Sequence, residues 1–208
     1  LNHGEERRFA DLQTALDAGR DGGAELTLLT DVTGDYTING TQDTGLDLNG
    51  HSIKGTVTVK AATGNNTTTF SNTQNTTTAS IDAVVAHRGA KLAGSKYPAV
   101  IGTLTLAGGA TWKNILNDTA LGYKVLNADG THKWYARDDV KGSQLNNVII
   151  NRLPITTKTL NLKVDGKNLT GNSPKVERGT TVQLCASCNT SGADVYIYTG
   201  EIVGNNVP

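Results

Sequence analysis

The 208-residue chain has no methionine, two cysteines, four prolines and few aromatics (two Trp, six Tyr, two Phe), and only 18% of it is charged. Lys plus Arg and Asp plus Glu balance at 19 each, so the electrostatic footprint of a nucleic-acid binder or a polybasic membrane binder is missing. No apolar run approaches the roughly 20 residues that span a bilayer, which excludes membrane insertion through a helix. Heptads with charged flanks are missing too, and with them a coiled coil. Cys185 and Cys188 both lie near the C-terminus and cannot staple a whole fold, so stability must come from an ordinary packed core. The length suffices for one large domain or two small ones. With no Met at position 1 and a Leu1-Asn2-His3 start that is no signal peptide, the chain reads as a monomeric piece of a longer, multi-domain protein.

Abundant instead are Thr (30), Gly (24) and Asn (19), a balance that favours mainly β structure with many turns. Such a chain, poor in charge, fits an extracellular setting. One segment has helical spacing: Phe9, Leu12, Ala15 and Leu16 predict a helix over Arg7 to Ala18, ended by Gly19 and Gly22-Gly23. Short apolar-polar-apolar triplets follow, each closing on a small or turn residue: Leu46-Asp47-Leu48, Val57-Thr58-Val59, Ala90-Lys91-Leu92 and Leu104-Thr105-Leu106, with Thr67-Thr68-Thr69-Phe70 ending in Ser71-Asn72 among them. They return after roughly 20 to 24 residues, a solenoid period. The pattern predicts a right-handed parallel β-helix over residues 25–153, capped by the helix within residues 1–24. Leu46, Leu48, Val57, Val59, Leu104 and Leu106 point inward, and Asp47, Thr58 and Thr105 face solvent. A hairpin-built sandwich is the rival, but it explains neither the similarity of the units nor a helix just ahead of the first strand.

The period breaks at Thr111. Trp112, Ile115 and Leu116 suit a single helical turn, and Gly122–Leu126 with His132–Ala136 flank Asp129-Gly130 as a hairpin. In this reading Trp134 covers the last coil, and Leu145–Ile150 is one more solenoid strand. From Pro154 to Pro208 the strands alternate cleanly, as in a small Ig-like sandwich that either lacks its last strands or continues beyond this piece.

The run Leu46-Asp47-Leu48-Asn49-Gly50-His51-Ser52-Ile53 resembles a coil of β-solenoid surface proteins of gut Gram-positive bacteria. The opening helix with Leu26–Val32 is similar to the start of those domains, and Trp112–Leu116, Gly122-Tyr123-Lys124, Asp129-Gly130 and Trp134 to their close. The resemblance covers roughly residues 8 to 153, with a trailing Ig-like module. It implies a cell-wall-associated adhesin or host-binding protein, with mucin or immunoglobulin among the ligands of its relatives.

No catalytic signature accompanies these motifs. Polysaccharide lyases and hydrolases also use β-helices, but need clustered carboxylates beside a base or a pair astride the glycosidic bond. Asp31, Asp35, Asp43, Asp47 and Asp82 do not repeat at coil spacing with each other, apart from Asp47 near Asp31 or Asp35, and read more simply as turn and outward-facing residues. His3, His51, His87 and His132 lack ligand spacing, so no metal and no cofactor is expected. Cys185-Ala186-Ser187-Cys188 has no following helix to activate a thiol and no second pair for zinc. The candidate ligand-binding residues are Tyr123, Trp134, Tyr135 and Arg137, because aromatic and Arg side chains anchor interfaces and flat rings stack on sugars. A second candidate is the polar tract Asn65 to Thr78, read as a lobe. The expectation is a non-catalytic binding module for a host protein or glycan, with a carbohydrate-active enzyme and a passive stalk spacer as rivals.

Overall fold

The computed structural model describes residues 6–60, 66–76, 78–116, 118–154, 157–165, 167–168 and 183–188, the strands of the last three ranges largely by their backbone alone. The chain divides into two compact units, Leu1–Leu153 and Pro154–Pro208.

The first unit opens on helix α1 (Leu12–Gly19), five residues later than Arg7. The Asp11 carboxylate accepts the Thr14 N–H at 2.8 Å and so sets the helix start, leaving Phe9 ahead of it despite its helical spacing. Leu12, Ala15 and Leu16 are buried on the face turned to the first coil. From the same helix the Gln13 amide exchanges two hydrogen bonds with the Thr37 main chain, donating to its carbonyl at 3.0 Å and accepting its N–H at 2.8 Å. A side-chain amide thus stands where a neighbouring strand's peptide group would be. Gln13→Ala should lower stability by about 1–2 kcal/mol in chemical denaturation, because both Thr37 groups lose their partner; an unchanged midpoint would show that water replaces the amide at no cost.

Four coils follow. The first holds β1 (Ala24–Thr27), β2 (Val32–Thr33) and β3 (Tyr36–Ile38), the second β4 (Thr44–Asp47) and β5 (Ile53–Val59). The third holds β6 (Thr68–Ser71) and β7 (Ser80–His87), the fourth β8 (Leu92–Ala93) and β9 (Val100–Ala107). Equivalent strands pair in parallel, which makes this unit a β-solenoid. One ladder runs β1-β4-β6-β8 and the other carries β2 and β3, then β5, β7 and β9. Register places Leu26, Leu46 and Phe70 in one column, and Tyr36, Val57, Val84 and Leu104 in another. Stacked identical faces bury a continuous apolar core that no single coil could bury alone.

Leu46, Leu48, Val57, Val59 and Leu104 are buried in that core. Leu106 is only half-buried, since the next strand's pairing with β9 stops at Thr105. Asp47, Thr58 and Thr105 are half-buried rather than exposed, the first two screened by the coils on either side and Thr105 by the third coil and the strand next to β9 on its other side. Two features depart from a plain period-2 pattern. In β7 and β9 the inward side changes parity, from Ile81 to Val84 and from Ile101 to Leu104, as a strand does in rounding a corner, whereas β5 holds one extra residue there and keeps parity, with Ile53, Val57 and Val59 buried. The repeat also stretches between β5 and β7, where Ile53 pairs with Ile81 and the register shifts before Thr56.

After the fourth coil come α2 (Trp112–Ile115), β10 (Leu121–Leu126), β11 (His132–Ala136) and β12 (Gln144–Arg152). Leu145–Ile150 is not a further solenoid strand. It lies in β12, which runs antiparallel to β9 with Val148 opposite Ile101 and Leu145 opposite Leu104. Both β11 and β12 pair antiparallel with β10, so β12 runs in the same sense as β11 and against β9. Sheet order continues β9-β12-β10-β11, and β11 is its last strand.

The second unit contributes an antiparallel sheet of β13 (Thr157–Val164), β14 (Lys167–Asn168) and β15 (Gln183–Cys188), in the order β14-β13-β15. Cys185 and Cys188 fall on β15 opposite Asn161 and Thr157. The remaining strands expected of an Ig-like sandwich, with residues 195–198 among them, fall outside the described residues.

Candidate binding surface

The acidic residues are structural staples between coils. Asp31 accepts the Ser52 N–H at 2.9 Å, Asp35 the Thr56 N–H at 2.8 Å and Asp43 the Thr67 N–H at 2.7 Å. Asp47 accepts the Thr73 N–H at 2.9 Å, the Thr73 hydroxyl at 2.6 Å and the Asn49 N–H at 3.0 Å. In its ladder Asp47 aligns with Thr27 and Ser71, not with Asp31 or Asp35. Asp82 is exposed on β7. Among the described residues no three His, Cys, Asp or Glu side chains come together as a metal site.

A corner of amides completes the stapling. Asn49, at φ +48° in the turn between Leu48 and His51, donates to the Leu28 carbonyl at 3.1 Å and accepts from the Gln74 amide at 3.1 Å. It therefore ties three coils. Asn72 is buried, accepting the Gly50 N–H at 2.8 Å and donating to the Thr76 carbonyl at 3.0 Å. The tract expected as a protruding lobe thus holds strand β6, the inward Phe70 and this buried Asn72; Thr73–Thr76 and Thr78 are exposed, and Asn65 and Thr77 lie outside the described residues.

Burial pushes the Asp47 carboxyl up, but the hydrogen bonds from Thr73, Asn49 and Ser71 together outweigh it and hold the group below the ordinary aspartate value. A carboxyl lowered on folding stabilises the fold above its unfolded pKa of about 3.9, and that contribution is lost as pH falls through the folded value. Asp47→Ala should therefore cost about 1–3 kcal/mol at neutral pH, with the gap from the parent closing below about pH 4. Urea midpoints measured across this range check it; a gap independent of pH would mean that the carboxylate's charge plays no part.

The hairpin residues divide between two faces. In the antiparallel pairing Tyr123 lies opposite Tyr135 on one side and Ile150 on the other, while Lys124 lies opposite Trp134 and Ile149. Directly opposed residues share a face and successive residues alternate. Tyr123, Ile150 and Val148 are buried, so their face is the inner one. Tyr123 is 0% exposed and cannot touch a ligand; the contact role expected for it is not open to it. Its hydroxyl donates to the Trp112 carbonyl at 2.9 Å and its ring meets the Trp112 indole edge-on at 5.1 Å. Burial holds its phenol well above the ordinary value, against a smaller pull downward from Arg137.

Trp134, expected as the seal of the last coil, is instead half-buried on the outer face, in a row with Lys124 and Ile149 across three strands. Tyr135 lies on the other face of β11, half-buried, with the Lys133 ammonium 4.7 Å from its ring centroid. Arg137 follows the strand and is half-buried too. Trp134 and Tyr135 thus share the last strand of the sheet but face opposite sides of it, and Arg137 lies just beyond its end. Lys124 is placed beside Trp134 by the hairpin itself, whereas Ile149, beyond Lys124 in the row, carried no signal in the sequence because its position follows only from the pairing of β10 with β12.

Comparison with known proteins adds no relative: no family model, no curated protein and no solved structure matches this chain.

Proposed function

We propose that the chain is a non-catalytic binding module of an extracellular bacterial surface protein, contacting a host protein or glycan through the hairpin β10–β11. The observation that carries this reading is a surplus. Trp112 and Tyr123 already fill the core at this end, yet Trp134, Tyr135 and Arg137 remain partly exposed on or just past the outermost strand. Large aromatic and guanidinium groups with surface left exposed at a sheet edge are the side chains that dominate interface energetics, and Tyr135 offers what its packing against the core leaves uncovered. The stapling role of Asp31, Asp35, Asp43 and Asp47 accounts for those acids without catalysis. In the same reading the coils wind right-handed, α1 closes the first coil, and the second unit is an Ig-like spacer in a longer surface stalk.

The test is retention of mucin, serum proteins or immunoglobulin, run beside a polysaccharide array. On whichever ligand is retained, the triple variant Trp134→Ala, Tyr135→Ala, Arg137→Ala should bind at least about 2 kcal/mol more weakly while its melting temperature moves little. Unchanged affinity would remove the hairpin from the interface. Product release from a polysaccharide would replace the reading with an enzymatic one, and silence in all assays would leave a spacer.

A further inference from the structure

Away from the hairpin, the solenoid unit carries a cleft of about 340 Å³ between the loop after β8, Asp118 and the end of β12. Its rim is made by Ser95, Lys96, Asp118, Asn151 and Arg152, and its floor by buried Leu121. That volume is at the lower end of what small-molecule sites enclose.

We propose that this cleft is a subsite for a carboxylate-bearing sugar, a refinement that rests on the binding-module reading and narrows its ligand to acidic glycans. Charge is the first argument. Lys96 has no carboxylate partner among the described residues; its ammonium lies 5.1 Å from the centroid of the Tyr97 ring. Arg152 meets Asp118 at 3.9 Å with both side chains well exposed, a pair too long and too wet to neutralise the guanidinium fully. Two cations face one anion, so a concave wall draws negative charge, and the guanidinium fork matches a carboxylate in two parallel hydrogen bonds.

Polar matching to a sugar ring is the second argument. Asp118 is fixed by accepting the Ala120 N–H at 2.8 Å through Oδ1, while its Oδ2, 3.9 Å from the Arg152 guanidinium and beyond hydrogen-bond distance of it, can accept a hydroxyl. Asn151 accepts the Arg152 N–H at 2.7 Å through Oδ1, leaving its amide NH2 to donate. Donors and acceptors alternate around the rim, as vicinal hydroxyls require. Tyr97, outside the cleft lining, is among the most exposed large apolar side chains, and the ammonium of the rim residue Lys96 lies over its ring.

The experiment is a titration of the 208-residue chain followed by its amide resonances, with glucuronate and N-acetylneuraminate as probes. Glucuronate methyl ester and inorganic phosphate serve as controls. Saturable shifts at Lys96, Asn151 and Arg152 are expected with either acid, at least tenfold weaker with the ester. Lys96→Gln and Arg152→Gln, both surface changes whose folding the same spectra verify, should each weaken binding at least fivefold. The hairpin triple variant should titrate like the parent, so failure of the hairpin reading and failure of this one are separable. No shift at these residues, equal response to acid and ester, or binding of phosphate as tightly as glucuronate would each overturn the proposal.

Discussion

Tyr123→Ala is expected to cost about 3–5 kcal/mol of folding stability, whereas Trp134→Ala should cost about 1 kcal/mol or less. The larger side chain is the less important one for the fold. Tyr123 is fully enclosed by the end of the solenoid core, and the cavity left by its ring would be lined by Trp112 and Ile150, held in place by their own partners. Trp112 is itself pinned, its indole N–H donating to the Gly142 carbonyl at 2.8 Å, so it cannot readily collapse into the space. Tyr123→Phe isolates the polar part: it keeps the packing but leaves the Trp112 carbonyl without its donor, for about 1–2 kcal/mol. Urea denaturation of the three variants gives the ranking. A Trp134 variant less stable than the Tyr123 variant would return the sealing role to Trp134.

How far these roles could be read from residues alone depended on whether the deciding interaction was local. Leu46, Leu48, Val57, Val59 and Leu104 went inside as their triplets indicated, because alternation along a strand is a local property. The direction of β12 is not local. Asn146-Asn147-Val148-Ile149-Ile150 alternates equally well read either way, and only its pairing with β10 and β9 says that it runs against both. Hairpin alternation likewise separates Tyr135 from Trp134, but only the pairing of Tyr123 with Ile150 says which face is inward. The acids show the same limit. Each reaches the backbone of the next coil across 21 to 26 residues of sequence, a contact that exists only once the coils are in register. Asp11 is the local counterexample, a cap three residues before the Thr14 N–H it holds, and it overrode the spacing that drew Phe9 into the helix.

The corner of the second ladder rests on Gly55, and Gly55→Ala should destabilise the solenoid by about 3 kcal/mol or more. Two costs combine there. The residue has φ +136°, a conformation that side chains disfavour, and a Cβ built on it would lie 2.2 Å from the Gly34 carbonyl oxygen of the preceding coil. That oxygen cannot step aside, because its residue is tied on both sides: the Gly34 N–H donates to the Lys54 carbonyl at 2.9 Å, and Asp35 accepts the Thr56 N–H at 2.8 Å. The same position is where the register slips between Ile53 and Thr56, so relief would have to come from moving the two inward residues Ile53 and Val57. Gly130 supplies the comparison. It has φ +81° in the hairpin turn, and an added methyl there would meet nothing within 4 Å, so Gly130→Ala carries the backbone cost alone, about 1–2 kcal/mol. Denaturation midpoints of the two variants separate steric from conformational cost. Equal losses would mean that adjacent coils can part at the corner without disturbing the core, and that the stack is looser there than its hydrogen bonds indicate.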